Sequence, residues 1–394
     1  MKLVSKISNN TKLNYDITSK TVNTSGNKIK DIVSNATVNG YNSSTPEIVN
    51  VSNINLPNNN GIFDPNNDYY TEFGGNQGEL ITNIENYIED PKIREIITKY
   101  YPEADLSADN LELLFYRMNS VGCGYIAAIN TILRAYEASG HDELDFYARF
   151  GFPPYDLRSN QVSGHKMDKD YNYEYLFLDF FLYYAKNKKG FSTLEEAIGN
   201  TEEEIALKNN QAGDAALDDN DFTYEGMDGS WLGDVSSIMS MYLAEKGIDL
   251  EIDYSSIGTN IRLEPGTERY EEFRSQMSYE VPEGTPLNAP ITIDDFRTFL
   301  NEGKQVIIGA RNFTLYYPED VDGNGKYDDV YQSNIGGHAM TVVGITEDNK
   351  LIVSSWGKEY LYELGDPPAV GEFDERSMTD FIVYDYGNFD PVET

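Results

Sequence analysis

The only cysteine of this chain, Cys123, lies in the segment Ser-Val-Gly-Cys-Gly-Tyr at 120–125. An apolar run with helical spacing follows it, and a helix N-terminus carries a partial positive charge that lowers the pKa of a thiol. A thiolate at this position could attack a carbonyl carbon, and the flanking Gly122 and Gly124 would let a substrate backbone approach closely. The alternative is a small buried apolar side chain, which is the usual fate of a free cysteine.

A histidine far downstream, His338, could act as the base that accepts the proton of the Cys123 thiol. His338 follows Gly337 and begins an apolar run typical of a strand, and a turn at 344–350 and a second strand at 351–357 come next. A neutral imidazole near a thiol can accept its proton and later return that proton to a leaving amine. The glycines before the histidine and the hairpin pattern after it favour this role over a solvated or structural histidine.

Together these segments resemble the papain-like cysteine peptidases, and among them the bacterial C39-like branch. The shared features are Gly-Cys-Gly before a helix, Gly-His-Ala at the start of a strand and Ser-Trp-Gly at the end of a hairpin. The resemblance implies an α+β fold, in which a helical lobe carrying Cys123 packs on an antiparallel half-barrel carrying His338, with the site in the cleft between them. The residues that it implies along the substrate cleft are Gly122, Gly124, Gly337 and Trp356.

The sequence departs from this family at two catalytic positions. Where the family has an asparagine that orients the imidazole, this chain has Ser354, whose shorter hydroxyl can still accept a hydrogen bond from the ring. Where the family has a glutamine six residues before the cysteine, this chain has Arg117. We therefore predict that Asn119, the nearest amide, replaces the glutamine as a donor to the oxyanion, together with the backbone N–H of Cys123.

The activity that the resemblance implies is hydrolysis of peptide bonds through a thioacyl-enzyme, without a required cofactor. Cys123 would be the nucleophile, His338 the base and then the acid, and Ser354 the residue that orients the imidazole. An acyltransferase or a deamidase would form the same acyl-enzyme and differ only in the acceptor or the amide attacked. A non-catalytic binding module of the same fold is the third hypothesis, because the asparagine and glutamine positions have changed.

An acidic segment shortly before His338 follows the first nine positions of a calcium-binding loop, with glycine at the sixth. Position 12 of such a loop is an acidic ligand, but here it is Tyr331, and strands rather than helices flank the segment. The sequence leaves two interpretations, a calcium site without its last ligand or an acidic hairpin tip. The predicted calcium ligands are Asp320, Asp322, Asn324 and Asp328.

The composition narrows the classes of partner. The chain of 394 residues has 30 basic and 66 acidic side chains, for a net charge of −36. This balance argues against nucleic acid and anionic lipid, and it hints at basic or neutral peptides as substrates. No apolar stretch is long enough to span a membrane, and the N-terminus lacks the apolar core of a signal peptide. We therefore expect a cytoplasmic protein or one exported by a signal-independent route, of undetermined oligomeric state.

The pattern along the chain predicts two parts. Residues 1–75 are rich in Asn, Ser and Thr without sustained periodicity, which predicts a flexible polar arm that could serve as a propeptide or export segment. Residues 76–394 are predicted to form the papain-like domain, with a Tyr- and Asp-rich helical insert at about 141–228. A capping box at 192–195 predicts a helix start, as does Thr292.

Overall fold

The computed structural model describes residues 74–139, 143–154, 171–202, 205, 225–229, 231–248, 250–256, 259–318, 320–373 and 375–386. Residues 1–73 of the predicted arm and most of the segment 203–224 in the predicted insert lie outside them, so the prediction for the arm stays untested. The described residues combine α-helices with antiparallel β-sheet, as the α+β prediction requires. They fall into two compact units, one from 75–126 and 172–229 and the other from 127–171 and 231–386 with Gly74.

The first unit is helical. Its most buried element is the aromatic helix α7, whose residues from Tyr173 to Ala185 are all buried. The ring of Tyr125 meets three rings of α7 edge to face, with centroids 5.1–6.1 Å apart. The helices are α1 (Glu79–Thr82), α2 (Ile84–Tyr87), α3 (Pro91–Tyr100), α4 (Ala108–Val121), the start of α5 (Cys123–Ser139), α7 (Tyr173–Asn187) and α8 (Leu194–Ile198).

The second unit is built on an eight-stranded antiparallel sheet in the order β1-β10-β4-β7-β8-β9-β5-β6. A separate two-stranded sheet pairs β2 with β3. The strands are β1 (Leu250–Ser256), β2 (Asn260–Leu263), β3 (Leu287–Pro290), β4 (Gln305–Ala310), β5 (Phe313–Tyr316), β6 (Val330–Ile335), β7 (His338–Ile345), β8 (Leu351–Ser355), β9 (Lys358–Tyr362) and β10 (Met378–Tyr386). The helices are α6 (Glu143–Phe150), α9 (Leu232–Glu245), α10 (Glu268–Ser275) and α11 (Ile293–Asn301), together with α5 from Ala127 onward.

The two faces of the large sheet have different surroundings. Alternate residues of the central strands, such as Met340 and Val342, enter an apolar core that also includes Phe296 of α11. On the other face, Thr341 Oγ1 donates to the carbonyl of Ala127 in α5 at 3.1 Å. One side of the sheet is thus apolar core, and the other carries hydrogen bonds to α5.

Of the two helix starts predicted from capping residues, one is found where it was predicted and the other lies one residue later. Thr292 caps α11 in a capping box with Asp295, as predicted. The capping box of α8 is formed by Thr193 and Glu196, one residue later than the predicted pair at 192–195. The shift follows from the reach of the side chains, because Thr193 Oγ1 accepts from the Glu196 N–H only when Thr193 is the N-cap. No helix in the described ranges is long and apolar enough to cross a membrane.

Candidate active site

Cys123 is the first residue of α5, directly after a glycine junction between two helices. Helix α4 ends at Val121, and the carbonyl of Gly122 accepts the first bond of the next helix, from Ile126 N at 2.9 Å. A Cβ on Gly122 would overlap the Met118 carbonyl and lie 2.6 Å from the ring of Phe177, so the junction has no room for a side chain. Glycine at this position therefore sets where α5 begins and places the partly exposed thiol in its first turn.

A glutamine that the sequence did not single out lies beside this junction. Gln77 Nε2 donates to the carbonyl of Asn119 at 2.6 Å, and a Cβ on Gly122 would lie 3.1 Å from Gln77 Cβ. A primary amide has two N–H donors, so one remains after the bond to Asn119. The structure thus brings a carboxamide donor next to the residue that precedes Cys123.

Arg117, at the position of the family's glutamine, and Asn119, the predicted oxyanion donor, have different surroundings. The guanidinium of Arg117 is buried and donates to Thr201 Oγ1 at 2.8 Å and to the carbonyl of Glu225 at 3.2 Å. The backbone carbonyl of Asn119 accepts from Gln77, and its side-chain Oδ1 is buried without a hydrogen-bond partner among the described residues. Arg117 therefore ties loops of the first unit together, and Gln77 is a second amide beside the glycine junction, next to the predicted Asn119.

His338 is the first residue of β7, and aromatic rings enclose it. Its Nε2 lies 2.7 Å from Ser355 Oγ, and the ring stacks on Trp356 with centroids 4.4 Å apart and planes at 21°. The ring of Phe313 is parallel to it at 6.4 Å. Among the described residues Nδ1 has no hydrogen-bond partner. An Nε2–H that donates to Ser355 would leave the lone pair of Nδ1 available as a base.

The serine that contacts the imidazole is Ser355, not the predicted Ser354. Neighbouring residues of a strand point to opposite faces of the sheet, so only one of the two serines can lie on the side of His338. Ser354 Oγ instead accepts from Asn130 Nδ2 at 3.3 Å, beside Gly74, whose φ of +98° and lack of a side chain permit the close approach. The serine in contact with the imidazole is therefore one residue later than predicted.

This arrangement predicts different consequences for the two serines. We expect Ser355→Ala to lower kcat/KM about fivefold, because one neutral hydrogen bond holding the imidazole contributes roughly 1 kcal/mol. Ser354→Ala should leave kcat/KM within about twofold but lower the free energy of unfolding by about 1 kcal/mol, because the buried Asn130 amide loses an acceptor. Steady-state kinetics and urea unfolding of both variants measure this contrast, and a larger kinetic effect at Ser354 would contradict it.

Burial controls the charge of the titratable groups near this hairpin. Removal from water lowers the pKa of His338 from 6.5 to about 4, so the imidazole is neutral at pH 7. The same cause raises the pKa of Glu359 in β9 to about 7, and its Oε1 is buried without a hydrogen-bond partner in the described part of the chain. A neutral imidazole is the form that accepts a proton from a thiol.

The glycines that were predicted to line the substrate cleft differ in their exposure to solvent. Gly124 is buried in the first turn of α5, so it offers no surface to a substrate. Gly336 and Gly337 are exposed before His338, and only Arg311 comes within 4 Å of a Cβ built on Gly337. Backbone can therefore approach the strand beside His338.

The acidic hairpin tip has a different carboxylate set from the predicted one. The carboxylates of Asp320, Asp322 and Asp329 lie within 4.8 Å of one another, whereas Asp328 accepts from Asn324 Nδ2 at 3.2 Å. Backbone N–H groups also donate into the cluster, as from Gly325 to Asp320 at 2.7 Å. These acceptors suit a hard cation such as calcium, and they equally stabilise a tight turn without one.

No protein-family description, curated protein or solved structure matches this chain. Evidence for its function therefore comes from the residues themselves and from the resemblance of their motifs.

Proposed function

We propose that the protein is a cysteine peptidase of papain-like architecture, in which Cys123 is the nucleophile and His338 the general base. The motifs around both residues support the proposal, as do the position of Cys123 in the first turn of α5 and the contact of His338 with Ser355. Trp356 stacks on the imidazole, and its ring would keep water from the bond between His338 and Ser355.

A hydrogen bond from Thr341 to Ala127 joins the two elements that begin at the proposed residues. Ala127 is about one helical turn after Cys123 in α5, and Thr341 is the fourth residue of the strand that begins at His338. The helix of the proposed nucleophile and the strand of the proposed base are thus bonded to each other, through a residue on the face of β7 opposite to the His338 ring. The observation that carries the proposal is therefore the contact of the His338 ring with Ser355 and Trp356, which holds a neutral imidazole at the start of β7.

The proposed reaction uses each group in one role. His338 Nδ1 accepts the thiol proton as Cys123 Sγ attacks the peptide carbonyl, and the oxyanion receives hydrogen bonds from Gln77 Nε2 and the Cys123 N–H. The imidazolium then gives its proton to the leaving amine as the C–N bond breaks. Water deprotonated by His338 hydrolyses the thioester and restores the thiol.

Gln77 provides a test of the oxyanion donors. We expect Gln77→Ala to lower kcat about 10²–10³-fold with little change in KM, because an oxyanion donor acts mainly in the transition state. The matched control is Asn119→Ala, which keeps the backbone carbonyl that holds Gln77 and should change kcat much less. Initial-rate assays on one reporter peptide measure kcat and KM of both variants. An equal loss of kcat in the two would contradict the role of Gln77.

Product mass tests the activity itself. The wild-type protein is incubated with a library of peptides, with Cys123→Ala as the control, and the products are analysed by mass spectrometry. Hydrolysis predicts paired fragments whose masses sum to the parent plus one water. Intact peptides with a side-chain amide converted to an acid would indicate a deamidase, and parent peptides joined to an added amine would indicate an acyltransferase.

A further inference from the structure

A cation stands close to His338, and the nearest carboxylate that interacts with it, Asp380, makes no direct ion pair with it. Arg311 follows β4 directly, and the last residue of that strand, Ala310, pairs with His338 across the sheet. The guanidinium is exposed and forms no hydrogen bond or ion pair with any other residue that the structure describes. The Asp380 carboxylate is itself bonded to Thr379 and to the Leu232 backbone, so the N–H groups of the guanidinium remain available to a ligand.

An indole supports this guanidinium. Arg311 Cζ lies 5.7 Å from the ring centroid of Trp231, whose side chain is 62% exposed. A guanidinium over an indole face is oriented by the cation–π contact and keeps its N–H groups for a carboxylate. The pair therefore presents a positioned donor rather than a mobile surface charge.

The elements beneath the pair fix its position. Trp231 is the N-cap of α9, and the carboxylate of Asp380 in β10 accepts from the backbone N–H of the next residue, Leu232. The backbone N–H of Arg311 donates to the carbonyl of Ser377 at 2.8 Å. Both residues are thus tied to the same end of β10.

Open space lies next to the guanidinium. Nothing else that the structure describes comes within 4 Å of a Cβ built on Gly336, and for Gly337 the nearest atom is Arg311 Nε at 3.6 Å. An extended peptide could follow this glycine segment and reach both His338 and Arg311. The glycines and the cation together have the properties of a substrate subsite.

We propose that Arg311, supported by Trp231, binds a carboxylate of the peptide substrate and makes the enzyme prefer acidic peptides. This inference rests on the proposed peptidase function and gives it a substrate class. It reverses the expectation from net charge, because a local cation in contact with substrate outweighs distant charges that salt screens. The carboxylate could belong to an Asp or Glu side chain or to the C-terminus of the peptide.

The first test needs no known substrate. Cys123 is the sole cysteine, so its alkylation by iodoacetate and by iodoacetamide can be measured in the intact chain. We expect Arg311→Gln to lower the ratio of the iodoacetate rate to the iodoacetamide rate about threefold to tenfold at low salt, because one charge-assisted contact is lost. Arg262→Gln is the matched control, because Arg262 is an exposed arginine of β2 that pairs with Glu264.

Peptide cleavage then distinguishes the two sources of carboxylate. We expect wild type to cleave peptides with Asp near the scissile bond several-fold faster than the same peptides with Asn, or free-acid peptides faster than C-terminally amidated ones. Arg311→Glu should reverse the preference toward Lys. An unchanged alkylation ratio and unchanged preference in Arg311→Gln, with cleavage intact, would overturn the subsite and leave the peptidase standing. Slow labelling of Cys123 by iodoacetamide, at the same rate in wild type and in His338→Gln, would overturn the peptidase proposal. The subsite proposal would then fail with it.

Discussion

Replacing Cys123 by alanine should abolish peptide cleavage, with a loss on the order of 10⁴-fold or more in kcat/KM. The chain has no other cysteine, so no second thiol can take over the role of nucleophile. The thiol is partly exposed in the first turn of α5, and alanine is a good helix former, so the fold should persist. Cleavage of a reporter peptide measures the loss.

Two controls make this result specific. Circular dichroism and urea unfolding should show the Cys123→Ala variant within about 1 kcal/mol of wild type, because little buried volume is removed. Cys123→Ser keeps the shape of the side chain but has a much weaker nucleophile at neutral pH, so it should be nearly as inactive. Activity retained in either variant would remove Cys123 from the mechanism.

The second large effect is expected at His338. His338→Gln should lower kcat/KM about 10³-fold, because the amide can still contact Ser355 but cannot accept a proton from the thiol. The pH dependence of the wild-type rate should reflect the same group. Activity should be lost as pH falls through the pKa of about 4, since protonated His338 is no longer a base. A pH–rate profile measures this limb, and retained activity in the variant would exclude the role.

His338 should also leave a signature in stability. Its pKa is about 4 when folded and 6.5 in the reference state, so the unfolded chain binds the proton first and stability falls as pH drops from about 6.5 toward 4. Between about pH 7 and about pH 4.5, wild type should lose about 2 kcal/mol more than His338→Gln. Glu112 and Glu359, whose pKa values are raised to about 7, act in the opposite direction but are present in both proteins. Equal losses in urea unfolding would contradict the burial of a neutral imidazole.

The sequence located the local elements of the candidate site well. Glycines beside Cys123 and His338 and a change from helical to strand periodicity are features of short segments, and the structure has α5 and β7 begin at those two residues. The α+β class follows from the same periodicities. Cleft geometry does not follow from them, since Gly124 has the right sequence position but is buried.

The position of Gln77 beside the Cys123 junction could not be predicted from the sequence. It lies 42 residues before Asn119, and the helices between them bring it back to the junction at Gly122. A search at the spacing of the papain-like family finds Arg117 instead. The only local signal was an amide set among glycines, and such segments are common in turns.

The motif alone could not decide which of the two adjacent serines contacts His338. Ser354 and Ser355 are adjacent and chemically identical, and a shift of one residue in strand register exchanges their faces. The pairing of β7 with β8, which sets Thr341 opposite Ser354, decides which hydroxyl reaches His338. That pairing includes an irregularity after Val342 that the sequence did not indicate.

The most direct test of the central claim is the rate of Cys123 alkylation by iodoacetamide as a function of pH, in wild type and in His338→Gln. We predict that wild type reacts at neutral pH faster than a free thiol of pKa about 8.5, and that in the variant this excess rate falls at least tenfold. Ordinary or negligible reactivity that is the same in both proteins would contradict it, and would indicate a structural cysteine in a binding protein.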